Sequence, residues 1–132
     1  MTENEKNLDL LAIFHYIVGG ITALVACIPF IHVALGLAML LGALDGKNPP
    51  PHWLGWIFVA GGGFFILCGW TMAAAIVLAG RKLSKRQSRI YCIVVAAFEC
   101  MMMPFGTVLG VFTIIVLSKD SVKALFANSR QK

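Results

Sequence analysis

The sequence predicts an all-α integral membrane protein, a compact bundle of three to four hydrophobic segments, with the first and last interrupted at Pro29 and Pro104. Three observations carry that expectation. Of the 132 residues, 59% are hydrophobic and only 13% charged, a balance outside that of soluble globular domains. The charges are segregated at Met1 to Asp9, at Arg81 to Arg89 and from Lys119 onward, whereas a soluble surface intersperses them. Between these blocks lie apolar stretches of the length, about 20 residues, that a helix needs to cross a hydrocarbon core about 30 Å thick.

The first stretch, Leu8 to Leu44, carries Asp9 as its charged residue and is broken by His15, Thr22, Pro29 and His32. As one straight helix it would reach about 55 Å, well past the bilayer core. Proline removes a backbone donor and crowds the preceding turn, which predicts a break near Ile28. The expectation is one crossing from Leu8 to Pro29 and then a bent continuation. Small residues recur at helical spacing along it (Gly19, Ala23 and Cys27; Ala34, Ala38 and Gly42), leaving grooves that another helix can enter closely.

Asp45-Gly46 followed by Pro49-Pro50-Pro51 cannot continue a helix and reads as a loop. Trp53 and Trp56 then open the second segment, 53 to 80, with rings suited to the membrane interface. The triplet Gly61-Gly62-Gly63 lacks the Lys-Ser/Thr of a phosphate loop and reads as a packing point or bend, with Gly69 and Ala73 as a further close-packing face.

Arg81, Lys82, Lys85, Arg86 and Arg89, with no acid among them, form a short basic loop over 81 to 89. The positive-inside rule places such a loop in the cytoplasm, where it can also contact lipid headgroups or a partner. The amino terminus is then cytoplasmic too, and the proline-rich loop lies outside. The third segment, 90 to 117, either crosses once or re-enters at Pro104-Phe105-Gly106. Length favours the crossing, but only the turn brings Lys119, Lys123, Arg130 and Lys132 back to the basic side, and the re-entrant form is the reading taken. After it, Val122, Leu125 and Phe126 are spaced for a short amphipathic tail over 119 to 127, lying on the membrane surface.

Several function classes fall away on the same residues. The net charge of +5 comes without a basic stripe interleaved with aromatics, so nucleic acid is not the expected partner. Cys27, Cys68, Cys92 and Cys100 lie in apolar runs without Cys-x-x-Cys spacing, which points to packing rather than disulfides or zinc. Glu3, Glu5 and Asp9 precede the first apolar run, unlike the basic start of a signal peptide, and the start is expected to be retained. No cofactor signature or ordered catalytic set is present.

Glu99 is the sharpest candidate for a functional group, because an acid within an apolar segment is costly unless paired, hydrated or protonated. His15 lies about 10 Å into its own segment from the same side, so an intramembrane His15–Glu99 pair is expected, with Tyr16 or Tyr91 as possible third members. Cys92, Cys100 and Met103 fall near Glu99 at helical spacing and make a soft set conceivable for Cu(I). His32, His52 and Asp45 make a weaker interfacial set. Pro29-Phe30 with Leu35-Gly36 also echoes Pro104-Phe105 with Leu109-Gly110, and paired breaks of this kind mark transporter sites at repeat interfaces.

The run Pro104-Phe105-Gly106-Thr107-Val108-Leu109-Gly110-Val111-Phe112, followed by Ser121 to Phe126, resembles the tail of small, uncharacterised bacterial inner-membrane proteins, which carry a Pro-x-Gly-Thr-x-Leu-Gly-x-aromatic pattern before a basic end. Ile13-Phe14-His15-Tyr16 and Pro29-x-x-His32 are similar to one branch of that group. The resemblance implies a bacterial inner-membrane location and transfers no activity. The function expected is that of a non-enzymatic accessory or structural subunit, or of a self-associating bundle, contacting lipids and a protein partner within the membrane. The alternative is a small homo-oligomeric transporter or channel using Glu99 and His15.

Overall fold

A computed structural model of the chain describes residues 2–129; Arg130 and Lys132, counted above among the tail charges, lie outside them. The described residues form six helices and no strand: α1 (Glu3–Val25), α2 (Phe30–Leu40), α3 (His52–Ser84), α4 (Arg89–Glu99), α5 (Phe105–Ser118) and α6 (Asp120–Ser129). Two stretches, Glu3–Leu40 (38 residues) and His52–Ser84 (33 residues), are long and apolar enough to cross a membrane. A third exists only if α5 and α6, bent 78° apart, are taken as one span. The chain divides into two compact units, one made of the residues up to Ile21 and from Ala73 onward, the other Thr22–Met72.

In the first unit, every helix buries a stripe at helical period. α1 buries Leu8, Leu11, Ala12 and His15; α4 buries Cys92, Val95, Ala96 and Glu99; α5 buries Gly106, Leu109, Gly110, Thr113, Val116 and Leu117. These i, i+3, i+4, i+7 spacings set one face of each helix against its neighbours. α4 and α5 are only 11 and 14 residues long, about 16 and 21 Å, and they fold back on each other as a hairpin around residues 100 to 104. Both ends of the hairpin are clasped. Thr107 Oγ1 donates to the Cys100 carbonyl at 2.8 Å beside the turn, and Arg89 Nε donates to the Leu117 carbonyl at 2.7 Å at the open end. Each bond fills a carbonyl that a helix terminus leaves without a partner, and at Leu117 a cation meets the negative end of the α5 dipole.

Two expectations need correction in this unit. The basic segment is not a nine-residue loop: α3 continues through Arg81 and Lys82 to Ser84, and Arg89 is already the first residue of α4. Cations in the last turn suit a helix dipole, so α3 outlasts its apolar stretch. The tail is not spread with its apolar face outward. Val122 and Phe126 of α6 are buried with Leu8, Leu83 and Leu117, and Leu125 packs against the same cluster. Ser129 Oγ donates to the Arg86 carbonyl at 2.6 Å, and Asn4 Nδ2 to Ser121 Oγ at 2.9 Å.

The second unit holds the end of α1, all of α2 and the first part of α3. α1 stops at Val25 and α2 opens directly after Pro29, where the missing proline N–H costs least. α2 and α3 approach backbone to backbone: a methyl on Gly36 would meet Gly55 O at 2.7 Å, and one on Gly62 would meet Pro29 O at 3.1 Å. The close-packing face of α2 is therefore Gly36, not the expected Ala34, Ala38 and Gly42. Ala34 is exposed, and Gly42 lies past the end of α2 with φ +74, the left-handed conformation glycine adopts at helix ends. Around Gly61 to Gly63, α3 is unbroken, with Gly62 packed and nothing near Gly61 or Gly63.

Candidate functional site

His15 and Glu99 come together in the first unit. Each occupies a position on the buried stripe of its helix where an apolar residue would otherwise sit, and each side chain is 0% exposed. His15 Nε2 lies 3.2 Å from Glu99 Oε2, near enough to pair although off the alignment of a good hydrogen bond. Gly80 makes room for this part of α1, since a methyl there would meet both Ala12 O and His15 Cβ at 3.0 Å.

The other ring nitrogen settles how the pair shares its protons. His15 Nδ1 lies 2.8 Å from the Leu11 carbonyl, which can only accept, so Nδ1 carries hydrogen and donates. A neutral imidazole then turns a bare Nε2 toward Glu99, and two bare acceptors would repel. One proton between Nε2 and Oε2, on either atom, satisfies both and leaves the pair with no net charge, the state of least cost in an apolar interior. Glu99 Oε1 has no hydrogen-bond partner among the described residues. Neither tyrosine supplies one as a third member: Tyr91 OH donates to the Ala75 carbonyl at 3.4 Å, and Tyr16 is 42% exposed.

The other predicted residues are placed as follows. Gly19 lies against Ala73 and Val77 of α3, and Gly69 against Ala26. Gly106 and Gly110 lie against the Glu99 and Ala96 carbonyls of α4, and Ala23 is half-buried. These small residues bring helices of the same chain together. Of the basic set, Arg86 Nη2 pairs with Glu5 Oε1 at 3.0 Å, Arg89 is bound to Leu117, and Lys82 Nζ stands 4.3 Å from the centre of the Tyr91 ring. Arg81 and Lys85 are exposed.

The soft-ligand set does not assemble, because α4 ends at Glu99 and Met103 lies in the turn beyond it, 86% exposed. His32 stacks on Phe58 with ring centres 5.9 Å apart. Among the described residues no three His, Cys, Asp or Glu side chains are grouped to hold a metal ion. Sequence reasoning missed Gly80 and the Glu5–Arg86 bridge. Opposite charges at two ends assigned to one side were the available signal for the bridge. No known family model matches the chain, and no curated protein or solved structure is significantly similar to it.

Proposed function

We propose that this chain is a non-enzymatic integral membrane protein, an accessory subunit of a membrane complex or a self-associating bundle, that works through its outer surface. The observation that carries this reading is the placement of its apolar side chains. The two long stretches bury only 11% and 22% of their most apolar windows within the chain, while Leu24, Trp53, Trp56, Phe64 and Phe65 are all more than half exposed. A surface of this kind is unstable in water and at home in lipid. Inside the first unit the buried His15–Glu99 contact joins two helices, which suits a clasp between α1 and α4. The cations at the end of α3 and start of α4 support a cytoplasmic side for that end under the positive-inside rule, and the resemblance of the tail supports a bacterial inner membrane.

Extraction of the tagged chain in mild detergent tests this reading. The expected result is a partner, or further copies of the chain, at fixed stoichiometry; a monomer without partners counts against it. One observation favours the transporter reading, the unpartnered Oε1 of Glu99 buried beside His15. Proteoliposomes that conduct protons, and lose that conductance with Glu99→Gln, would replace the first reading with this one.

A further inference from the structure

We propose that the groove between α1 and α5 binds an anionic phospholipid, with an acyl chain along the groove and the headgroup phosphate at Lys119 and Asn7. The proposal rests on the membrane reading above. The groove encloses about 610 Å³ and is walled by Leu10, Phe14 and Val18 of α1 and by Val108 and Phe112 of α5, with Phe105 at one end. Its polar lining side chains are Asn7 and Lys119. Both lie at the same end, because Asn4 of α1 bonds Ser121 just past Lys119.

The groove has the proportions of one lipid leaflet. From Asn7 to Val18, α1 rises about 16 Å, and half of a hydrocarbon core of about 30 Å is about 15 Å. An occupant must therefore be hydrocarbon for the depth of a leaflet and polar at one end. Lys119 sets the sign of that end. The neighbouring acid, Asp120, is held by Lys123 Nζ at 2.7 Å, and the Lys119 ammonium forms no ion pair among the described residues, which leaves it for a phosphate. A second apolar pocket, beside Pro29, His32 and Phe58, has no lysine or arginine in its lining and lacks this polarity of ends.

Native mass spectrometry of the full chain, released from detergent with equal amounts of phosphatidylglycerol and phosphatidylcholine, tests the site. One phosphatidylglycerol should stay bound at energies that strip phosphatidylcholine. Lys119→Gln should cut that preference at least fivefold, with helicity by circular dichroism unchanged. Val108→Trp, at a position 61% exposed, should fill the groove and remove retention of both lipids, and millimolar inorganic phosphate should not compete. Equal retention of the two lipids, indifference to Lys119→Gln, or a dimer whose formation Val108→Trp abolishes would overturn the proposal, the last by assigning the groove to a second copy. A chain that stays monodisperse without detergent would instead overturn the membrane reading.

Discussion

Glu99 is the residue whose chemistry the first unit must accommodate, and the accommodation is specific enough to test. With His15 Nδ1 committed to Leu11 O, Nε2 needs a donor opposite it. Glutamine supplies an N–H from nearly the same volume, whereas alanine supplies nothing and leaves a buried acceptor unmatched. Glu99→Ala should therefore lower stability by about 1 to 3 kcal/mol, and Glu99→Gln by less than about 1 kcal/mol, read as the shift in thermal unfolding in detergent. Equal losses would show that opposite charge holds the pair, rather than a donor facing an acceptor. Glu5 behaves differently because it is at the polar end. The Thr2 backbone N–H that it accepts holds its carboxyl below the ordinary value of 4.5; burial opposes this, and the Arg86 guanidinium adds a lesser lowering. A carboxyl lowered in the folded state stabilises above its ordinary value, and that contribution fades as pH falls through the lowered one. Melting temperature should thus drop on acidification below pH 4.5, and Glu5→Gln should flatten that part of the profile. The effect is small, since the bridge is partly open to solvent.

Within the helical elements, glycine divides into positions where a side chain has no room and positions where it has. A methyl on Gly110 would run into the Ala96 carbonyl and the Cys100 backbone, atoms that cannot step aside without opening the α4–α5 hairpin. Nothing lies within 4 Å of the same methyl on Gly20. Gly110→Ala should cost about 1 to 3 kcal/mol by overpacking, and Gly20→Ala should be neutral or stabilise by up to about 1 kcal/mol through helix propensity. Comparing the two unfolding transitions checks both. The same contrast shows what could be read from the residues. The breaks near Pro29 and Pro104 were legible because proline acts on its own helix, whatever surrounds it. Which small residues meet a neighbour was not, because spacing defines a stripe but not the helix rotation that turns it inward. Gly36 thus took the role expected of Ala34 and Ala38. The inward face of α6 escaped for a related reason: Val122 and Phe126 have the spacing of a lipid-facing stripe and of a protein-facing one alike, and only the apolar cluster around Leu8 and Leu117 distinguishes them.

For the whole molecule, the contacts of the first unit tie three separate parts of the chain to one end. Glu5 pairs with Arg86 at 3.0 Å, Ser129 donates to the Arg86 carbonyl at 2.6 Å, and Arg89 donates to the Leu117 carbonyl at 2.7 Å. The start of α1, the connection between α3 and α4, and α6 are therefore neighbours, and the membrane reading proposed above requires all three on one face. Arg81, Lys82, Lys85, Arg86, Arg89, Lys119 and Lys123 belong to these parts of the chain, and the membrane reading proposed above takes that face as the cytoplasmic one by the positive-inside rule. The same proposal, read from the charge pattern of the sequence, puts the proline-rich loop around Asn48 outside the cell. Reporter fusions at the two ends of the chain should both report the cytoplasm. A cysteine in place of Asn48, with the four native cysteines replaced, should react with an impermeant thiol reagent from outside the cell, while one in place of Lys85 should not. The clasped α4–α5 hairpin makes this pattern hard to evade. A hairpin opened into a single crossing would move Leu117 and α6 to the opposite face, breaking the Arg89 and Ser129 bonds and separating Gly106 and Gly110 from α4. A carboxy-terminal reporter outside the cell would therefore refute the hairpin itself, and with it the packing of α5 and α6 against the α4 that carries Glu99.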